Sequence, residues 1–337
     1  MSLGPRSKRI VRALRRPFEW IGVLLGVAVM SSLPRGGLLR LCDFLSMAMY
    51  AFDRSGRRLA LFNLRVVRGS EEVKGVEFSK WALPKLSPPS SRETAVIRRS
   101  YRNMARAVGH AFWTCRNARE RVAAAGEMSA RGRAFLAAGK PAVTVSGHIG
   151  CWEILSQLAF LEGHSMMSVA KDIGSAGMTN LLMKSRMSIG QEIVHADGAF
   201  RPLMQGIRDG KSIGLLVDQV VDPKNGGVWV RFFGRPVPVS AAPAFFAAKG
   251  KVPVAVAWSR PLKDGRYRCE VVAEYSPSEA RDVWGFTQRC MHDLERVIRS
   301  HPSCWVLNYR YFRRKPGEKE LAQLMARESD MRGGGGS

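Results

Sequence analysis

Residues 142–161 read Ala-Val-Thr-Val-Ser-Gly-His-Ile-Gly-Cys-Trp-Glu-Ile-Leu-Ser-Gln-Leu-Ala-Phe-Leu. Ala142 to Ser146 is a short β-branched run, as in a buried strand, and Gly139-Lys140-Pro141 before it stops the preceding helical pattern. Trp152 to Leu161 has the pattern of a helix. Between them a strand passes into a helix through a turn holding two glycines, a place where α/β proteins put their sites. Working outward, Ser212–Val217, Val252–Ala257 and Arg266–Ala273 read as further strands, with Gly265 turning into the last. Helical stretches lie at 176–188, 199–209, 240–249 and 284–300, and the pattern from Glu93 to about Ala138 is helical. Strands alternating with helices predict an α/β fold, a central mostly parallel or mixed sheet flanked by helices.

The turn carries His148, and Glu153 follows five residues later. On one continuous helix that offset points the two side chains apart. They meet only if His148 sits in the turn and Glu153 in the first helical turn, with Gly147 and Gly150 supplying backbone freedom. A carboxylate on one imidazole nitrogen fixes the tautomer and stabilises the imidazolium once the other nitrogen takes a proton. A histidine so held is a suitable general base for a hydroxyl nucleophile. Cys151 invites a Cys–His nucleophile reading with a covalent intermediate, but a thiol three residues from the histidine is not aimed at it, and the dyad needs no covalent step.

Lys and Arg number 53 against 28 Asp and Glu, a formal net charge of +25. Such an excess implies an anionic partner: nucleic acid, an anionic membrane surface, or an acidic protein or phosphorylated ligand. No helix-turn-helix, ribonucleoprotein motif or basic–aromatic interleaving is legible, which argues against nucleic acid. The six cysteines form no C-x-x-C pair and no His/Cys cluster of zinc-finger spacing, so reduced thiols in a cytosol-facing compartment and no metal site are expected.

Arg6, Lys8, Arg9, Arg12, Arg15 and Arg16 precede an uncharged run from Trp20 to Pro34. The run is shorter than the roughly 20 residues of a spanning helix. Ser31, Ser32 and Pro34 offer no small-x-small cleavage site before Arg35. Leu38 to Tyr50 then shows apolar residues at helical spacing. Two apolar helices behind an arginine cluster are expected to anchor the chain at a cytoplasmic membrane face, the other reading being a helical hairpin packed on the core. The expected organisation is a basic, membrane-associating region over 1–66, a Pro- and Ser-rich linker or insertion over 67–95, the α/β domain over 96–318, and a tail over 319–337 ending in a linker-like Gly-Ser run.

Further blocks join the turn. Leu215-Leu216-Val217-Asp218-Gln219, Arg231-Phe232-Phe233-Gly234-Arg235-Pro236, His301-Pro302-Ser303-Cys304-Trp305 and Tyr309-Arg310-Tyr311-Phe312-Arg313-Arg314-Lys315-Pro316 follow it. Leu33-Pro34-Arg35-Gly36-Gly37-Leu38-Leu39 and Arg58-Leu59-Ala60-Leu61-Phe62-Asn63-Leu64 precede it. Together they resemble the bacterial late lipid A acyltransferase family, the lauroyl and myristoyl transferases of the lysophospholipid acyltransferase superfamily, over nearly the whole chain. The resemblance implies an enzyme without a cofactor, at the cytoplasmic face of the inner membrane. It would move an acyl chain, usually from acyl carrier protein, to a lipid A precursor. The family's His-x-x-x-x-Asp/Glu motif falls on His148 and Glu153, its downstream arginine and glycine on Arg186 and Gly190, and its Asp-Gln pair on Asp218 and Gln219.

The sequence departs from the family in residues 67–92, which are longer than the usual connection. It departs again at 170–175, where Ala170-Lys171-Asp172-Ile173-Gly174-Ser175 replaces an expected arginine and asparagine, and at Leu307-Asn308-Tyr309-Arg310-Tyr311, where an aromatic-x-His-Arg-Arg ending is expected. These departures leave the acceptor open: a lipid A precursor, another membrane glycolipid or an aminolipid. Candidate substrate-binding residues are Arg186, for a phosphate or the thioester oxyanion; Asp218, for a substrate hydroxyl or a basic side chain; Lys171; and Phe232 and Phe233, as acyl-groove lining. Arg186 as a surface residue, Asp218 as a buried structural carboxylate and the two phenylalanines as core are the alternatives. A non-catalytic membrane scaffold of this fold is disfavoured because His148 and Glu153 are both present.

Overall fold

Ala142-Val143-Thr144-Val145-Ser146 does form the centre of the fold. The computed structural model describes residues 25–76, 84–139, 141–170, 187 and 190–333. Among the described residues the main sheet has seven strands, in chain order β1 (Gly126–Met128), β2 (Val143–Ser146), β3 (Met166–Ala170), β4 (Glu192–His195), β5 (Ser212–Leu216), β8 (Val254–Pro261) and β9 (Tyr267–Tyr275). They lie side by side in the order β1-β9-β8-β2-β5-β3-β4. β2, β3, β4, β5 and β8 run parallel. β9 is antiparallel to β8, and β1 is parallel to β9, so the sheet is mixed. β6 (Gly227–Phe232) and β7 (Arg235–Ser240) form a separate antiparallel hairpin. Its turn places Phe233 and Gly234 at φ 52° and 76°, the left-handed pair that a tight hairpin requires.

β2 is central, and its alternation sorts the side chains. Val143 and Val145 are buried in the main hydrophobic core with Ile213, Val254 and Val256. Thr144 and Ser146 line a cavity with Gly214, Leu216, Ser168, Ala255 and Ala257. These residues, mostly small, leave room along one stretch of the sheet. The helix Trp152–Leu161 buries Ile154 and Leu158 in a second core beside Cys151, Tyr267 and Cys269.

The segment expected to be helical from Glu93 to about Ala138 is three helices, Ser91–Trp113, Ala118–Ala125 and Ala130–Ala137, with β1 between the last two. The first starts at a capping box in which Ser90 and Glu93 satisfy each other's amides. At Gly126 a Cβ would lie 2.9 Å from the Tyr267 carbonyl, so a glycine lets the chain press onto β9 there. The helices expected at 199–209, 240–249 and 284–300 are Phe200–Arg208, Ala242–Gly250 and Val283–Ser300. The stretch 176–188 lies outside the described residues except for Met187.

At the N-terminal side, residues 25–32 are helical and lead into the helix Arg35–Phe52. Its buried column is Leu38, Cys42 and Ser46, at helical spacing. The helix Arg54–Arg68 sends Leu59, Phe62, Leu64 and Val66 into the main core. Among the described residues no helix is long and apolar enough to cross a membrane. The arginine cluster at 6–16 and the first part of the Trp20–Pro34 run lie outside the described residues.

Candidate active site

Ser146 at the end of β2 pairs in register with Leu216 at the end of β5. His148 and Asp218 each stand two residues further on, so the parallel ladder delivers them side by side. His148 Nδ1 lies 2.8 Å from Asp218 Oδ1. The His148 amide donates to Asp218 Oδ2 at 2.9 Å, and the Trp305 indole N–H donates to the same oxygen at 3.0 Å. Asp218 is 0% exposed. Burial pushes its carboxyl up, but the charge of His148 and hydrogen bonds from His148 and Trp305 outweigh it and hold Asp218 below the usual carboxylate value. An ionised carboxylate only accepts, so Nδ1 carries the ring proton and Nε2 keeps a lone pair. The Gln219 amide nitrogen stands 3.3 Å from that Nε2.

The turn is held from three directions. Gly150 donates to the Cys304 carbonyl at 2.8 Å, Cys151 donates to Ser259 Oγ at 2.7 Å, and Val306 donates to the His148 carbonyl at 3.1 Å. Gly150 has φ 66°, and a Cβ there would come within 1.8 Å of the Ser259 carbonyl oxygen. Gly147 faces Asp218, whose Cγ would lie 3.1 Å from an added Cβ. Gly150 is therefore required both by close approach and by its left-handed backbone, and Gly147 gives Asp218 room against the turn.

Glu153 occupies the first turn of its helix, as the spacing requires. The carboxylate on His148 Nδ1 is nevertheless that of Asp218. Glu153 Oε1 accepts the Trp152 indole N–H at 3.1 Å, and the Trp152 ring lies against the imidazole with centroids 5.0 Å apart. Glu153 thus reaches His148 through Trp152. Cys151 is fully buried, and burial pushes its thiol up to about 12, which disfavours the thiolate a nucleophile needs.

His148, Trp152, Glu153 and Gln219 open onto a cavity of about 1570 Å³. It runs along the sheet past Thr144 and Gly214 to Phe200 and Phe246, with Lys249, Arg313 and Arg314 also on its wall. This exceeds the roughly 300–1,000 Å³ typical of small-molecule pockets.

A family model described as bacterial lipid A biosynthesis acyltransferase matches residues 81–314. The chain belongs to this family. No curated protein matches it. Membership makes the protein an acyltransferase of lipid A biosynthesis. Arg186 and Lys171 of this acyltransferase lie outside the described residues. Gly190, paired with Arg186 in the family pattern, has φ 95° and packs where a Cβ would meet the Phe160 ring at 2.3 Å. Phe232 and Phe233 are buried in the main core and are not among the residues lining the cavity. Their rings each lie 5.7 Å from Trp305, so they back the residue that holds Asp218.

Sequence reasoning missed the function of Trp305. It was legible only as part of the His301–Trp305 block. The signal available was an indole, an obligate donor, in a segment that also supplies the main-chain bridge between Trp305 and Ile149.

Proposed function

We propose that this acyltransferase moves a fatty acyl chain from an acyl thioester, carried by acyl carrier protein, to a hydroxyl of a lipid A precursor or related membrane glycolipid. The observation that carries the reading is the buried Asp218 on His148 Nδ1, with Nε2 facing a long, largely apolar cavity. The acceptor oxygen attacks the thioester carbonyl carbon while its proton passes to Nε2, and Asp218 stabilises the imidazolium. Collapse of the tetrahedral centre breaks the C–S bond, and the Nε2 proton goes to the departing thiolate. The apolar wall suits the acyl chain, and Lys249 and Arg313 on the same wall suit anionic groups of the substrates.

The same reading puts the enzyme at the cytoplasmic face of the inner membrane. On the helix Arg35–Phe52, Phe44 and Met47 are 67% and 68% exposed, opposite the buried column, and Phe52 at the helix end is 86% exposed. Leu25 and Val29 of the preceding helical segment are exposed as well. An apolar face on a chain of net charge +25 fits the surface of an anionic bilayer.

The test is incubation of the purified protein with acyl carrier protein thioester and glycolipid acceptors in mixed micelles, followed by mass spectrometry of the lipids. A product heavier than the acceptor by one acyl group is expected. Release of free fatty acid alone, with every acceptor unchanged, would refute transfer.

A further inference from the structure

We infer that Gln219 is a further catalytic residue, whose side-chain amide donates to the oxyanion formed when the thioester carbonyl is attacked. The assignment rests on the acyl-transfer reading above. It starts from a shortage of donors. The turn around His148 looks like a backbone oxyanion hole, but its amides from His148 to Cys151 are already committed. The His148 N–H goes to Asp218, Ile149 to the Gly147 carbonyl, Gly150 to the Cys304 carbonyl and Cys151 to Ser259 Oγ. The Trp152 indole is bonded to Glu153. Among the described residues, the donor that faces the reacting nitrogen is the Gln219 amide, 3.3 Å from His148 Nε2.

That position is the one a substrate must take. A hydroxyl surrendering its proton to Nε2 has to come within hydrogen-bond reach of it, and so displaces the Gln219 amide. The displaced amide stays tethered next to Asp218, which is fixed by three hydrogen bonds. Its reach is therefore confined to the atoms bonded to the incoming oxygen. The first of these is the thioester carbon, whose carbonyl oxygen becomes negative as the new C–O bond forms and Nε2 takes the proton. A carboxamide N–H is a suitable partner for that charge, and when the C–S bond breaks the amide is free to cap Nε2 again.

The experiment compares initial rates of acyl transfer for wild type, His148→Ala, Gln219→Met and Gln219→Glu, with acyl carrier protein thioester varied at saturating acceptor. Met keeps the length of the side chain without a donor, and Glu keeps its shape. Both are expected to lower kcat by about 10²–10³-fold, with KM for the donor changed by less than about threefold and thermal midpoints near that of wild type. If Gln219→Met does not fold, Gln219→Glu decides by the same thresholds. A kcat within about threefold of wild type, a kcat raised because the base is uncovered, or a loss confined to KM would overturn the assignment. Absence of transfer by wild type, or full transfer by His148→Ala, would instead overturn the acyl-transfer reading itself.

Discussion

His148 and Asp218 stand at equal offsets past paired residues of β2 and β5, and their side chains meet at 2.8 Å between Nδ1 and Oδ1. The imidazole is thus fixed by sheet register. Two parallel strands carry the two paired side chains, and Trp305 clamps the carboxylate from a third segment.

The turn between β2 and the following helix depends on Gly150. Gly150→Ala would force a left-handed alanine whose Cβ overlaps the Ser259 carbonyl, 1.8 Å away. A loss of roughly 3 kcal/mol or more is expected, seen as a fall in thermal midpoint with a parallel loss of activity. An unchanged midpoint and normal rate would show that the turn tolerates a side chain.

His110 predicts acid sensitivity. It is 2% exposed, with neither ring nitrogen hydrogen-bonded, and it packs edge-on against Trp113 and Tyr267. Burial, with Arg35 and Arg106 adding to it, lowers it to about 3. The native ring therefore stays neutral while the unfolded one protonates below about 6.5. The contribution to stability is complete above that pH and is lost as pH falls toward 3. His110→Phe keeps the aromatic contacts and removes the titration, so its denaturation midpoint should fall less between pH 7 and 4.5 than that of wild type. Parallel curves would contradict this.

Membrane association through the exposed face predicts that Phe44→Ser with Phe52→Ser weakens binding to anionic vesicles while leaving the fold intact. Each phenylalanine buried in the bilayer boundary contributes about 1.5 kcal/mol or more, so the partition coefficient of the double variant should fall at least about a hundredfold. Equal cosedimentation of the two proteins would move the docking surface elsewhere.

The donor is expected to show itself through salt. Acyl carrier proteins are acidic, and a chain of net charge +25 should steer their approach. Steering weakens as the Debye length shrinks from about 10 Å at 0.1 M to about 3 Å at 1 M. The kcat/KM for acyl carrier protein thioester should fall steeply with ionic strength, and that for acyl-coenzyme A, with its smaller footprint, less. Equal slopes would assign the basic surface to the membrane or the acceptor instead.

Much of the sheet was legible. β2, β5, β8 and β9 have runs rich in aliphatic or β-branched residues bounded by Gly, Lys or Pro, and the helix Trp152–Leu161 was read to its ends. β1 was not, because Gly-Glu-Met is three residues without a β-branched side chain. β3 and β4 were also missed, the first having two methionines, Ser168 and Ala170 among its five residues and the second being a four-residue edge strand. The place of His148 in a strand–turn–helix was legible from the pattern. The carboxylate it meets was not, since Glu153 is five residues away and Asp218 is 70, and only strand adjacency makes the distant one near. Phe232 and Phe233 show the same limit: an apolar pair fits groove and core equally until the Trp305 ring is seen between them and the site.

The proposed mechanism requires His148 as the base and Asp218 as its orienter. Initial rates of acyl transfer should be measured for wild type, His148→Ala and Asp218→Asn, each confirmed folded by its thermal midpoint. His148→Ala is expected to abolish transfer, and Asp218→Asn to lower kcat by about 10³–10⁴-fold, because the amide no longer stabilises the imidazolium. Near-normal turnover by either variant would contradict that assignment.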